Sequence, residues 1–277
     1  MTAAVLALLG SVLWGAADYV GGVLSRTRTA IQVVAVSQLV ALVVIWLVVL
    51  ATGAAIDSGA VVWGLLAGLA GGTALMCFYA ALAAGTMGVV APISALGLVV
   101  PVLAGLLAGE RPSVVQLAGI AIAVAGVVLA SGPELSGGAS PRPLLLAAAA
   151  GLGFGLTLLF IARSADTLPT LGMMRVASVG LLTVVLLILW RTTGATVRLT
   201  ARELPALAFV GLADLGANGL YALAATSGLL SVVAVLASLY PAVTVLLAWR
   251  FGRERLARIQ VVGVAAALIG VVLLAAG

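Results

Sequence analysis

The chain has no lysine and no histidine, a single cysteine, and charged side chains at only 8% of its 277 positions. Without histidine there is no Ser-His-Asp triad, no Cys-His pair and no imidazole for a zinc site. Cys77 has no intrachain disulfide partner, and its apolar segment suits a thiol that packs as a small hydrophobe. A soluble domain carries about 25% charged residues. A chain this poor in charge cannot keep its surface in water.

What is present is apolar: 64% of residues are hydrophobic and the mean hydropathy is +1.35. The class is a polytopic membrane protein, with the lipid bilayer as a partner. All thirteen basic residues are arginine, and the pI is near 10.3. In a soluble protein that balance suggests nucleic acid. Here the arginines sit in short segments between apolar runs, which points to orientation in a membrane and to no nucleic-acid partner. The opening MTAAVLALLGSV lacks a basic n-region and reads as part of the first span. GLGFG at 151–155 superficially resembles a nucleotide loop, but it lies mid-span with no βαβ context. No cofactor and no metal ion are expected.

Crossing about 30 Å of hydrocarbon takes about 20 apolar residues in a helix. Ten such segments are found: 3–24, 30–51, 60–84, 87–108, 114–131, 143–162, 170–190, 204–225, 229–249 and 257–276. The expected fold is therefore all-α, with ten transmembrane helices.

An internal repeat organises them. ERPSVVQLAGIAIAVAGVVL (110–129) aligns with ERLARIQVVGVAAALIGVVL (254–273), pairing Glu110 with Glu254, Gln116 with Gln260, Gly119 with Gly263 and Gly126 with Gly270. Upstream, Ser94 falls opposite Ser238, and FYAAL (78–82) resembles LYALA (220–224), which matches Tyr79 to Tyr221. The chain divides into a first repeat at 1–132, a linker at 133–142 and a second repeat at 143–277. Five spans per repeat is an odd number, so the second copy enters the bilayer from the opposite side. Such inverted repeats are characteristic of secondary transporters, whose substrate site lies near the midplane.

The WG near the N-terminus (Trp14, Gly15), the two five-span halves and the ER-x4-Q-x2-G-x6-G pattern closing each half resemble the EamA family of the drug/metabolite transporter superfamily. The resemblance implies a ten-helix exporter-type carrier rather than an enzyme, in a bacterial cytoplasmic membrane. It also implies a central cavity lined by spans 1, 3, 4, 6, 8 and 9, with spans 5 and 10 peripheral. Many members carry an arginine where Arg175 falls, early in the second span of a half, and the first half has Gln38 there. After WG the family commonly has small or amide residues, where this chain has AADY. Monomer and homodimer both fit the sequence.

Ten arginines lie in loops after odd-numbered spans, against Arg111 and Arg163 after even-numbered ones. That count puts the odd-numbered loops in the cytoplasm and both termini outside.

Only three charges fall well inside spans: Asp18, Arg175 and Asp214. Intramembrane charges are costly and mark interior cavities and ion or substrate paths. Asp214, Asn218 and Tyr221 lie on one helical face, as do Trp14 and Asp18, with Tyr19 adjacent. One reading is a buried ion pair that fixes helix register. Two carboxylates against one guanidinium nevertheless leave a spare negative charge, which must take a proton or meet a cation. Asp214 is assigned to Arg175 because their spans are sequence neighbours, and Asp18 is the expected exchanging carboxylate. The substrate is read as a small amphipathic or amine-bearing metabolite such as an amino acid, and the alternative is a multidrug exporter of lipophilic cations. A membrane enzyme or lipid scaffold is the third reading, disfavoured by the missing histidine and metal motifs. Pro92, Pro101 and Pro241 should break their helices, and such breaks tend to line a cavity. Ser94 and Ser238, beside two of these breaks, complete the candidate site, while Gly64, Gly68 and Gly72 read as a packing stripe.

Overall fold

The computed structural model describes residues 2–131, 141–194, 200–252 and 257–276. These residues form helices and turns with no strand among them. In hydrocarbon a lone segment satisfies its backbone N–H and C=O groups only within itself, so each apolar run becomes a helix. In chain order the helices are α1 (Thr2–Ser25), α2 (Ala30–Thr52), α3 (Ser58–Ala84), α4 (Met87–Ala95) and α5 (Val99–Leu107), with a 3-10 turn at Leu96–Leu98. There follow α6 (Val114–Ser131), α7 (Pro141–Arg163), α8 (Thr167–Thr193) and α9 (Leu204–Ala225). The last are α10 (Leu230–Ala237), α11 (Tyr240–Arg250) and α12 (Arg258–Ala276). Eight helical stretches are long and apolar enough to cross a bilayer, counting α4 with α5 and α10 with α11 as one each. Their outer faces expose large apolar side chains such as Leu47, Leu187 and Ile188. So extensive an apolar surface belongs in lipid.

The ends follow local chemistry. Asp57 caps α3 by accepting a hydrogen bond from the Ala60 N–H at 2.7 Å. Gly53 and Gly194 end α2 and α8 in the left-handed conformation, with φ of 63° and 68°. The repeat signature also takes on a structural meaning. Gln116 and Ser113 cap α6 reciprocally, at 2.9 and 3.1 Å. Glu110 reaches across to the second half, where its carboxylate accepts from the N–H groups of Leu230 (2.6 Å) and Ser231 (3.0 Å) at the start of α10. A carboxylate on a helix N-terminus meets both the free donors and the positive end of the dipole. Its repeat partner Glu254 lies outside the described residues, and so do Arg253, Arg255 and most of the linker.

Packing uses small residues, as membrane helices must when apolar contact alone gives no advantage over lipid. The Gly64, Gly68 and Gly72 stripe of α3 lies on α8: a Cβ at Gly68 would run into the Met174 carbonyl, and one at Gly72 would meet Ser178. Pro92 does not break its helix, since α4 runs through it to Ala95; the breaks lie just before Pro101 and Pro241, with different results. The turn after α4 is closed off by α7, where Gly97 sits against the backbone of Gly151 and Gly155. GLGFG is thus a contact face for that turn. The break between α10 and α11, just before Pro241, opens inward. Helices α6 and α12 pack chiefly on each other, away from the centre.

Candidate functional site

Helix α1 packs along α9, and each carries two polar residues one turn apart on the facing side. The Trp14 indole N–H of α1 donates to Asp214 Oδ1 at 3.1 Å, and Asn218 Nδ2 donates to the same oxygen at 3.1 Å. Asp214 Oδ2 meets Arg175 Nη1 of α8 at 2.9 Å and accepts from Gln38 Nε2 of α2 at 3.1 Å. Gln38 closes the circuit, its Oε1 accepting from Arg175 Nη1 and from Ser178 Oγ. One carboxylate therefore receives donors from four helices. Arg175 is wholly buried, and its Nε and Nη2 have no hydrogen-bond partner among the described residues. Such a charge is tolerable only while its counterion stays in place.

Asp18 differs. It is 6% exposed, and no described residue hydrogen-bonds or ion-pairs with its carboxylate. Instead it faces a half-open cavity, with about 540 Å³ of free space including its mouth, shared with Trp14, Asp214, Asn218, Ser238 and Tyr240. The rest of the wall is mostly apolar: Leu75 of α3, Phe154 and Leu158 of α7, and Met174 of α8. Span 8 enters through α9, and span 9 through its break, where Ala237, Ser238 and Tyr240 reach the cavity. Span 4 was expected in this lining. It is absent from it because its own break is packed against α7, and Met174 of the seventh span stands there in addition.

The other sequence candidates lie around this centre. Tyr221 is buried with its ring 6.2 Å from that of Trp14, behind the cavity wall. The buried ring of Tyr79 occupies the notch left by Gly21. Tyr19 is half-buried and packs into the apolar core beside α1. Ser94 ties α4 to α7 by donating to the Ala147 carbonyl at 3.2 Å, and does not line the cavity. Sequence reasoning noticed Gln38 only as the counterpart of Arg175, and passed over Ser178, Thr157 and Tyr240. An amide two turns into a mostly apolar span was the available signal for Gln38. Among the described residues no group of three or more Cys, Asp or Glu side chains could hold a metal ion.

A central cavity with buried charges, enclosed by apolar spanning helices, is the arrangement of a membrane carrier. Residues 1–132 and 141–276 each match the model of the EamA-like transporter family, so the chain belongs to that family. It is a multi-pass membrane protein, and the family's members are transporters of the drug/metabolite type. No curated protein matches it. One of 28 matching chains of solved structures, described only as "Crystal structure of protein", is 19% identical with a TM-score of 0.74. The match covers 98% of this chain and 95% of the other. At that identity the likeness speaks for the fold alone.

Proposed function

We propose that this protein is a secondary carrier that exports a small amphipathic, amine-bearing metabolite across a bacterial cytoplasmic membrane by alternating access. In this reading Asp18 is the group that exchanges a proton for the substrate's ammonium. The observation that carries it is the contrast between two buried carboxylates on one cavity wall. Asp214 is neutralised by Arg175 and held by three further donors, whereas Asp18 has no partner among the described residues. A buried carboxylate in that condition is stable when protonated or when a cation sits beside it. Alternation between those two states couples proton movement to substrate movement.

The architecture proposed with it is ten spans in two inverted halves, 1–132 and 143–277, with α6 and α12 as the fifth and tenth. The sequence repeat and the odd span number support it, as does the meeting of the repeat-related Gln38 and Arg175. Trp14, Asn218, Ser238, Tyr19, Tyr79, Tyr221 and Ser94 are proposed as the surrounding shell. The apolar lining favours one second reading, a multidrug exporter of lipophilic cations.

Proteoliposome transport tests the mechanism. Wild-type protein should accumulate an amine against its gradient when a pH difference is imposed, and Asp18→Asn should fold yet lose that coupling. Full pH-driven transport by Asp18→Asn overturns the reading.

A further inference from the structure

We infer that the cavity selects monocationic amines with an apolar body and rejects molecules that carry a carboxylate, amino acids included. The inference rests on the carrier reading above and concerns the wall's hydrogen-bonding capacity.

Polar wall groups have their protons committed elsewhere. Trp14 Nε1 donates to Asp214, and Asn218 Nδ2 donates to both the backbone and side-chain oxygens of Asp214, at 2.6 and 3.1 Å. Ser238 Oγ donates to the Ala234 carbonyl at 2.7 Å, and Thr157 Oγ1 to the Gly153 carbonyl at 2.8 Å. What these groups still offer a ligand is lone pairs: the Asn218 amide oxygen, two hydroxyl oxygens and the free carboxylate of Asp18. Tyr240 alone keeps an uncommitted hydroxyl, which is buried. The wall is rich in acceptors and poor in donors.

An ammonium group has donors and no acceptor, so it complements this wall. A carboxylate has acceptors only, and would be enclosed with two other carboxylates and almost nothing to donate to it. Among the described residues Arg175 is the one cation paired with a wall carboxylate. It does not line the cavity, it is wholly buried, and its Nη1 is held by Asp214 and Gln38. Charge agrees with hydrogen bonding: with Asp214 and Arg175 cancelling, an ionised Asp18 leaves a single negative charge to be met. The rings of Trp14 and Tyr240 suit a cation through their faces, and Leu75, Phe154, Leu158 and Met174 suit an apolar body.

Three probes sharing one phenyl ring separate the possibilities: 2-phenylethylamine, phenylalanine and 3-phenylpropionate. Their affinities are measured calorimetrically on the detergent-purified full chain, wild type and Asp18→Asn, with melting temperatures recorded to show that the variant is folded. The expected result is that the amine binds wild type at least about tenfold tighter than phenylalanine. The propionate should not bind, and the amine should be lost on Asp18→Asn. Phenylalanine binding as tightly as the amine, and still dependent on Asp18, overturns the selectivity while leaving the carrier mechanism standing; it would mean that Arg175 turns to receive the carboxylate. Binding of none of the probes, or amine binding indifferent to Asp18, overturns both. The wild-type comparison decides the selectivity even if the variant does not fold.

Discussion

Gln38 and Arg175 meet inside the bundle, the guanidinium donating to the amide oxygen, and both bind the same oxygen of Asp214 at 3.1 and 2.9 Å. Gln38 lies in the first family match and Arg175 in the second, so the contact joins the two repeats through a single carboxylate. This geometry separates the roles of the two aspartates and makes them separately testable.

Asp214→Asn should be the damaging variant. It leaves Arg175 buried without its counterion, and breaking a buried pair this way costs about 3–5 kcal/mol in soluble proteins. A marked fall in detergent melting temperature is expected, whereas Asp18→Asn removes no ion pair and should melt at or above the wild-type temperature. Equal losses in the two variants would show that Asp18 also holds the bundle together.

Gln38→Leu keeps the bulk but removes both the acceptor for Arg175 and Ser178 and the donor to Asp214. Leaving buried polar groups unpaired costs about 1–3 kcal/mol each, so a smaller loss of stability than for Asp214→Asn is expected. Gln38→Glu supplies a second carboxylate for the guanidinium. It should loosen the hold on Asp214, and the change should be read as altered dependence of transport on pH.

The glycine stripe gives a purely steric test. At Gly68 even a Cβ would collide with the Met174 carbonyl, so Gly68→Leu forces α3 and α8 apart. Overpacking typically costs about 1–3 kcal/mol, and a separation that shifts Met174 should also weaken amine binding. Gly180, with open space around it, is the control: Gly180→Ala should leave both readouts unchanged.

At the membrane edge, Glu203 before α9 holds Arg28 at 2.7 Å and accepts from the Thr200 N–H and hydroxyl. The hydrogen bond from Arg28, followed by those from Thr200, lowers its pKa from the ordinary 4.5 to about 2. A carboxylate with a lowered folded-state pKa stabilises the fold above its unfolded value, and that contribution disappears as pH falls from 4.5 towards 2. The difference in melting temperature between wild type and Glu203→Gln should therefore be constant above pH 5 or so and shrink as the pH falls through that window. A difference that instead grows on acidification would contradict the tie.

Topology is tested by single cysteines in a Cys77→Ala background. From the arginine distribution, Ser58→Cys should react with an impermeant thiol reagent in intact cells, and Thr193→Cys only after permeabilisation. The opposite pattern reverses the orientation and leaves the fold as described.

Much of this was legible in the chain itself. The helix ends fall within a few residues of the apolar segments because in lipid the hydrophobic run and the helix have the same cause. Asp214 and Asn218 share a face because i, i+4 spacing requires it, and their hydrogen bond follows. The shape of the cavity was not legible. Whether a proline break faces inward depends on what packs against it, and Gly97 meeting Gly151 closed one break while the other stayed open. Nor could composition distinguish Leu75, which lines the cavity, from Leu66, which faces outward, in one helix rich in both roles. The orientation of Thr157 and Ser238, and hence the shortage of donors, appears only once their carbonyl partners are in place.

The grip of Glu110 on the first turn of α10 bears on how the molecule is made. The carboxylate and the Leu230 N–H it binds are 120 residues apart in the chain. At roughly 5–20 residues per second, the ribosome delivers the second long after the first, by on the order of ten seconds. During that interval the first five helical segments are already synthesised, with an acidic side chain at their border whose partner does not yet exist. Biosynthesis thus leaves the early half with an acceptor that stays unfilled while α7, α8 and α9 are made, and α10 brings the donors last.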